Sequence, residues 1–425
     1  MKNFGALLSV CLMSHLAVCA TGLGAESKNV FELKFDDLPR LIQEHNKHVE
    51  GAKFFVHAAD ARTGFMRRSY LPKLNLLGGY ETFQTGPYGQ SSQPYGAIEA
   101  RVNLFRGGRD ALEENAREGQ LGVSEAEFEQ AYVKELTEAR RAYWNIVFQR
   151  VMLSILKDAI SQNERNLAAA SRRISAGIST ATDRLEFEMY RIQLEQDSTR
   201  LTLEASNSER TLNVLLGLAE GTSLDVTSDL PHEHDDALLR ISLDTKSHRD
   251  VRALRGNEEI SQARKAQAYR WWTPSLDIYG GYFLFTLRDR DYLSQRDRYD
   301  IVGGVQLTFE LFDGLQSRSE GAALAWQANA YEAQAQQTAR ELQAQFATSK
   351  QALGLTHELI HAAEESVAKG KQYLSNTLAE YGRGVKNSPD VFGATQKYVD
   401  FRRRAAELKR DYHIARADIL AALGK

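Results

Sequence analysis

The chain has 425 residues, of which 26% are charged, and a formal net charge of −3. That balance supplies no basic face for nucleic acid. Mean hydropathy is negative, and after residue 20 no apolar run reaches the roughly 18 residues a membrane helix requires, so any membrane spanning must be done by strands.

The N-terminus reads as a secretory signal over residues 1–25. Lys2 gives the positive start, Phe4 to Ala20 is mostly apolar around Ser9, Ser14 and His15, and the small residues Ala20, Thr21, Gly22, Gly24 and Ala25 follow. Cleavage is expected between Ala20 and Ala25; the competing reading is a short membrane anchor. Both cysteines, Cys11 and Cys19, fall in this segment. The mature chain would then carry no disulfide, no thiol nucleophile and no cysteine-based metal site. Leu16-Ala17-Val18-Cys19 approaches a lipoprotein box, but Val18 stands where a small residue is wanted, which argues against lipidation.

Past the leader the chain repeats itself. Pro72-Lys73-Leu74-Asn75-Leu76-Leu77-Gly78-Gly79-Tyr80 returns at an offset of 202 as Pro274-Ser275-Leu276-Asp277-Ile278-Tyr279-Gly280-Gly281-Tyr282. Leu104-Phe105-Arg106-Gly107 returns at an offset of 207 as Leu311-Phe312-Asp313-Gly314, and 207 then holds from Gly177 and Gly384 to Leu216-Gly217 and Leu423-Gly424. The five extra residues belong to a longer loop between strands. The reading is a first repeat over 26–217, an inter-repeat segment over 218–243 and a second repeat over 244–425. Each repeat has the order helix, strand, loop, strand, long helix, turn, helix.

The strands alternate with period two. Ile98, Ala100, Val102 and Leu104 oppose Glu99, Arg101 and Asn103; Leu276, Ile278, Gly280, Tyr282 and Leu284 share one face. An apolar face backed by a polar one suits a barrel between lipid and water, and also suits a soluble, half-buried hairpin. The intervening loops, Gln84 to Gln93 and Arg288 to Arg298, are polar.

No proline occurs between Pro94 and Pro231 or between Pro274 and Pro389, so no pyrrolidine ring breaks a helix there. Arg109 to Ser175 is expected to form one helix of roughly 100 Å. Ala139, Ile146, Leu153, Ile160, Leu167 and Ile174 form a seven-residue seam, with a weaker companion row of Ala142, Gln149, Leu156, Asn163 and Ala170. Asp36 to Ser69 and Thr182 to Gly217 read as helices about half that length, so two stacked end to end match the long one. Lipid forbids open sheet edges. Four strands cannot close a barrel with a lumen, so membrane strands imply an obligate oligomer.

At these residues the chain resembles the TolC-like outer-membrane factors. The resemblance covers nearly all of the mature chain. It rests on the duplication, the Leu-Phe-x-Gly joint after each second strand, and the turns Arg173-Ile174-Ser175-Ala176-Gly177-Ile178-Ser179-Thr180-Ala181-Thr182-Asp183 and Glu380-Tyr381-Gly382-Arg383-Gly384-Val385-Lys386-Asn387-Ser388-Pro389-Asp390. It implies a mostly α fold with a membrane β-barrel portion: a homotrimer closing a twelve-stranded barrel in outer-membrane lipid and a twelve-helix coiled-coil tube in the periplasm. The segment 218–243 would join the belt around that tube. A periplasmic adaptor (membrane fusion protein) and an inner-membrane RND or ABC transporter would dock at the tip.

The same resemblance implies a latch between helix pairs. It would fall on Thr182 and Asp183 in the first turn and on Tyr381 and Lys386 in the second, with Asp390 in an acidic entrance ring. Gly393 replaces the family's second ring aspartate, which weakens the case for cation selectivity, and Lys386 replaces a frequent arginine, losing bidentate geometry. The tip residues expected to meet the adaptor are Gly177, Ile178, Arg383, Gly384 and Val385. The plainer alternative makes the latch positions ordinary solvated turn residues.

Other candidates are weaker. His232-Glu233-His234-Asp235-Asp236 suggests metal binding, but adjacent residues seldom converge on one ion and no fourth ligand is identifiable, so an acidic loop is favoured and no metal or cofactor is expected. Gly382-Arg383-Gly384-Val385-Lys386 has the wrong spacing for a phosphate loop. Trp271-Trp272 fits an interfacial belt or core packing. No nucleophile, base and acid stand together, so an enzyme is not expected. The leading function is a passive outer-membrane exit duct for efflux or type I secretion; the alternative is a periplasmic or surface coiled-coil scaffold or adhesin.

Overall fold

The computed structural model describes residues 30–84, 90–177, 180–227, 229–232, 236–284 and 299–425; the leader, residues 85–89 and the second strand loop lie outside them, while Gln90 to Gln93, expected in the first loop, pair as strand with Glu81 to Gln84. In chain order the elements are β1 (Val30–Glu32), α1 (Leu38–His45), α2 (Lys47–Asp60), α3 (Phe65–Ser69), β2 (Lys73–Gln84), β3 (Gln90–Phe105), α4 (Arg109–Ser175) and α5 (Ala181–Leu215). They continue with β4 (Ser223–Asp225), α6 (Asp236–Arg240), α7 (Arg249–Ala268), β5 (Ser275–Leu284), β6 (Tyr299–Thr308), α8 (Gln316–Gly382) and α9 (Ser388–Ala422). α4 and α8 each have 67 residues, and α5 and α9 each have 35. Each second-repeat member begins and ends 207 positions after its first-repeat counterpart.

The long helix expected over Arg109–Ser175 forms at those bounds, but the half-length helix expected over Asp36–Ser69 is broken. Asn46 takes an extended backbone, and its Oδ1 accepts from the His48 and Val49 amides to start α2 afresh. Gly64, at a φ of 72°, makes the second break, and Glu114 on α4 accepts its amide at 2.5 Å. In the second repeat His248 accepts from the Asp250 amide at the start of α7, 202 positions after Asn46.

Two joints hold the stacked half-helices. Asn46 Nδ2 donates to the Leu215 carbonyl at the end of α5 (2.8 Å) and to Glu135 of α4 (3.0 Å). Arg249 Nη1 donates to the Ala421 carbonyl at the end of α9 (3.0 Å). A Cβ on Gly217 would lie 2.5 Å from the His45 carbonyl oxygen, so the first joint requires glycine both for space and for its φ of 63°.

α4 packs on α2, α5, α7 and α9, while α8 packs on α7 and α9. The main core lies where the halves meet: Leu38 and Ile42 of α1, Leu136, Tyr143, Trp144 and Ile146 of α4, Leu212 and Leu216, and Leu224 of β4. β1 pairs in parallel with β4, and Arg150 holds the strand end by donating to the Leu224 and Val226 carbonyls. Along α4, burial passes from the Ala139 and Ile146 row to the companion row of Leu156, Asn163 and Ala170.

β2, β3, β5 and β6 form one antiparallel sheet in that order. β2 and β6 are its edges, and the sheet of one chain is open. At the first strand-to-helix joint, Gly107 and Gly108 have left-handed φ of 62° and 72°. Buried Asn103 donates to Asp110 at 2.8 Å, tying the strand to the first turn of α4.

Candidate functional site

The turns joining α4 to α5 and α8 to α9 end the two hairpins. Gly177 and Gly384 adopt φ of 72° and 81°, and the Val385 amide reaches back to the Glu380 carbonyl at 3.0 Å, satisfying a helix-end acceptor. A Cβ on either glycine would meet nothing within 4 Å, so these positions need glycine for backbone conformation rather than space.

The next helices start with matching capping boxes. Asp183 accepts from the Thr180 amide at 3.1 Å, and Asp390 accepts from the Asn387 amide at 3.1 Å. Each predicted gate carboxylate thus holds a bond at its own helix start.

The remaining latch candidates meet unexpected partners. Tyr381 is buried with Ala170, Phe187 and Val391. The Arg173 guanidinium carbon lies 4.3 Å from its ring centroid, and Arg173 Nη1 donates to the Tyr381 carbonyl. Phe187 meets the same ring edge-on at 6.4 Å. Burial pushes the phenol pKa above its ordinary value; the Arg173 cation and the Ser388 hydroxyl oppose the rise, and Asp183 adds to it. Tyr381 Oη itself makes no hydrogen bond of good geometry, so Asp183 acts on it through charge and not through a bond. Lys386 pairs within its own turn, with Asp390 at 3.7 Å. Thr182 is exposed, as are Gly177, Arg383, Gly384 and Val385; Ile178 lies outside the described residues.

Arg173 is the residue that sequence reasoning left without a role. Its bond to Tyr381 crosses 208 positions, from one repeat to the other. The available signal was a long cation one turn before the first hairpin ends, opposite the aromatic of the second.

The sheet has two unlike faces. Leu76, Ile98, Tyr282 and Ile301 form one cross-strand row, exposed by 81%, 54%, 39% and 86%. Leu74, Ile278, Val305 and Leu307 extend the same apolar face. On the other face Arg101 pairs with Glu99 at 2.8 Å and donates to Gln306 at 3.4 Å. A continuous apolar surface that none of the described residues covers, backed by charge, is the surface of a lipid-facing sheet.

Comparison with known proteins agrees. The family model described as "Outer membrane efflux protein" matches residues 38–218 and 241–425. The chain belongs to the outer membrane efflux protein family. It is 20% identical over 421 residues to outer membrane protein TolC of Vibrio cholerae serotype O1, covering 95% of this chain and 94% of that one. The outer membrane protein VceC of Vibrio cholerae superposes with a TM-score of 0.77 at 17% identity, over 92% of this chain and 96% of that one. The CmeC outer membrane channel of Campylobacter jejuni gives 0.78 at 15% identity, over 92% and 85%. This outer membrane efflux protein accordingly resides in the outer membrane, with its helical part in the periplasm.

The family match leaves residues 219–240 between its two stretches. In this outer membrane efflux protein they contain His232, whose apparent partners in sequence, Glu233, His234 and Asp235, lie outside the described residues; Asp236 opens α6. The structure instead brings His232 to His357 and His361 of α8. The signal was legible: His357-Glu358-Leu359-Ile360-His361 sets two imidazoles four residues apart on one helix face.

Proposed function

We propose that three copies of this chain close a continuous passive duct for efflux or type I secretion, docked at its helical tip with a periplasmic adaptor and an inner-membrane RND or ABC transporter. The observation that carries this reading is the open sheet. Its apolar face runs across all four strands while β2 and β6 keep unpaired backbone groups, and lipid tolerates no such edge. β6 of one copy pairing with β2 of the next removes every edge. A second feature supports further copies: Leu185, Met189 and Ile192 form an exposed apolar stripe on α5, at the spacing that faces a neighbouring helix.

In this reading residues 26–217 and 244–425 are two equivalent staves, with 218–243 as the belt between them. The tip is held shut by the contacts between hairpins, Arg173 with Tyr381 first among them, and Thr182, Asp183, Lys386 and Asp390 line the entrance. Gly177, Ile178, Arg383, Gly384 and Val385 meet the adaptor.

Native mass measurement in detergent, followed by planar-bilayer recording, tests the proposal. A trimer with discrete conductance steps is expected. A stable monomer with intact strand content and no conductance would overturn it and favour the scaffold.

A further inference from the structure

The inter-repeat segment is fixed at Pro231 and at His232. His413 Nε2–H donates to the Pro231 carbonyl at 2.7 Å, and the His232 ring stands edge-on to Tyr412 at 4.7 Å. This places His232 Nε2 2.8 Å from His357 Nδ1. His361, one helical turn further along α8, lies with its ring centroid 4.8 Å from that of His357 and 6.0 Å from that of His232. One ring nitrogen from each of the three residues falls within 4.8 Å of the others.

We propose that His232, His357 and His361 bind one divalent transition-metal cation of the zinc class, and that the ion clamps the inter-repeat segment to α8. A tetrahedral ion about 2.0–2.1 Å from each imidazole nitrogen separates those nitrogens by roughly 3.3 Å. The observed spacing brackets that value, so small torsions of three side chains complete the geometry. Neutral imidazoles suit zinc, nickel or copper over magnesium or calcium.

The surroundings favour unprotonated ligands. Burial lowers the pKa of His232, the neighbouring His357 lowers it further, and only Glu364 among the larger influences opposes this. Glu364 is itself held by Lys409 at 2.8 Å, so it supplies negative charge nearby without joining the set. The other nitrogen of His232, Nδ1, is buried and has no hydrogen-bond partner among the described residues. His361 is exposed, which leaves the fourth coordination position open to water. The three ligands belong to one chain, so the site stands or falls independently of the trimer.

The test uses the full-length channel in detergent, purified without a polyhistidine tag, stripped with EDTA and desalted. Titration with Zn²⁺ against a chromophoric chelator should give one saturable ion per chain. X-ray absorption on the wild-type protein should show three nitrogen ligands at about 2.0–2.1 Å. His357→Asn and His361→Asn should each weaken binding at least about tenfold, whereas His48→Asn, at an exposed histidine on α2, should leave it unchanged. Amide exchange across residues 229–243 should slow when Zn²⁺ is added. No saturable binding, oxygen-dominated coordination, or equal affinity in the triple asparagine variant would overturn the site. Binding without slowed exchange would overturn the clamp.

Discussion

Arg173 lies over the Tyr381 ring at 4.3 Å and donates to the Tyr381 carbonyl, joining the end of α4 to the end of α8. A desolvated cation on an aromatic face contributes about 2 kcal/mol, and a hydrogen bond from a charged donor about 1.5–3 kcal/mol. The exposed Lys386–Asp390 pair contributes about 0.3–0.5 kcal/mol. Arg173→Gln should therefore raise open probability in planar bilayers and admit large antibiotics into cells. Tyr381→Phe, which removes a hydroxyl lacking a good hydrogen bond, should leave both at wild-type levels. The opposite pattern would assign the closure to the phenol.

Asn46 uses its whole amide: Oδ1 caps α2, and Nδ2 bridges to Leu215 and Glu135. Asn46→Ala should cost about 2–3 kcal/mol, combining a lost cap with an unsatisfied buried carbonyl. The thermal midpoint of the assembled protein in detergent would fall, while Asn46→Asp, which keeps the cap acceptor, should lose less. Equal losses in the two variants would mean that the bridge and not the cap carries the energy.

The two faces of the sheet should respond oppositely to a cation. Leu76→Arg places a charge on the apolar face and should cost about 2–4 kcal/mol near the bilayer midplane, depleting the protein from outer-membrane fractions. Gln306→Lys, on the Arg101 face, should assemble normally and shift the reversal potential toward anions. Normal assembly of both variants would contradict the lipid-facing assignment.

His413 is an acid-sensitive point. Its ring stacks on Trp144 at 3.6 Å, and its Nδ1 is buried without a hydrogen-bond partner among the described residues. Burial drives its pKa from 6.5 down to about 4, against the opposing bond to Pro231. Between those values the unfolded chain binds a proton that the folded chain refuses, so stability falls as pH drops from 6.5 to 4. The loss is about 3 kcal/mol per chain. Chemical melting in EDTA across this window should show it, and His413→Gln should flatten the slope. His248, also lowered by burial, acts in the same direction.

The long elements were legible because their signals are local and repeated. Arg109 to Ser175 lies within a proline-free run, and the strand residues around Ile98 and Ile278 alternate without interruption. The break at Asn46 was not legible: its bonds to Leu215 and Glu135 span 169 and 89 positions, and no local pattern reports them. The latch positions carry a related ambiguity. Asp183 and Asp390 sit at the third position of their helices, where capping and gating make the same demand on a carboxylate, and only the geometry separates the two uses. His232 stands among acidic neighbours in sequence, whereas its partner rings arrive from 125 and 129 positions away.

The joints at Asn46–Leu215 and Arg249–Ala421 also determine how the tube deforms. Both lie against one stretch of α4: Glu135 receives Asn46, Glu129 pairs with Arg252 at 2.7 Å, and Arg140 donates to the Lys425 carbonyl at 2.8 Å. Each unbroken helix is a continuous elastic rod, whereas each broken partner is a splice in which a few hydrogen bonds replace a covalent backbone. The main core closes round the first splice, so one half-column turns on the other only by breaking these bonds together with that packing.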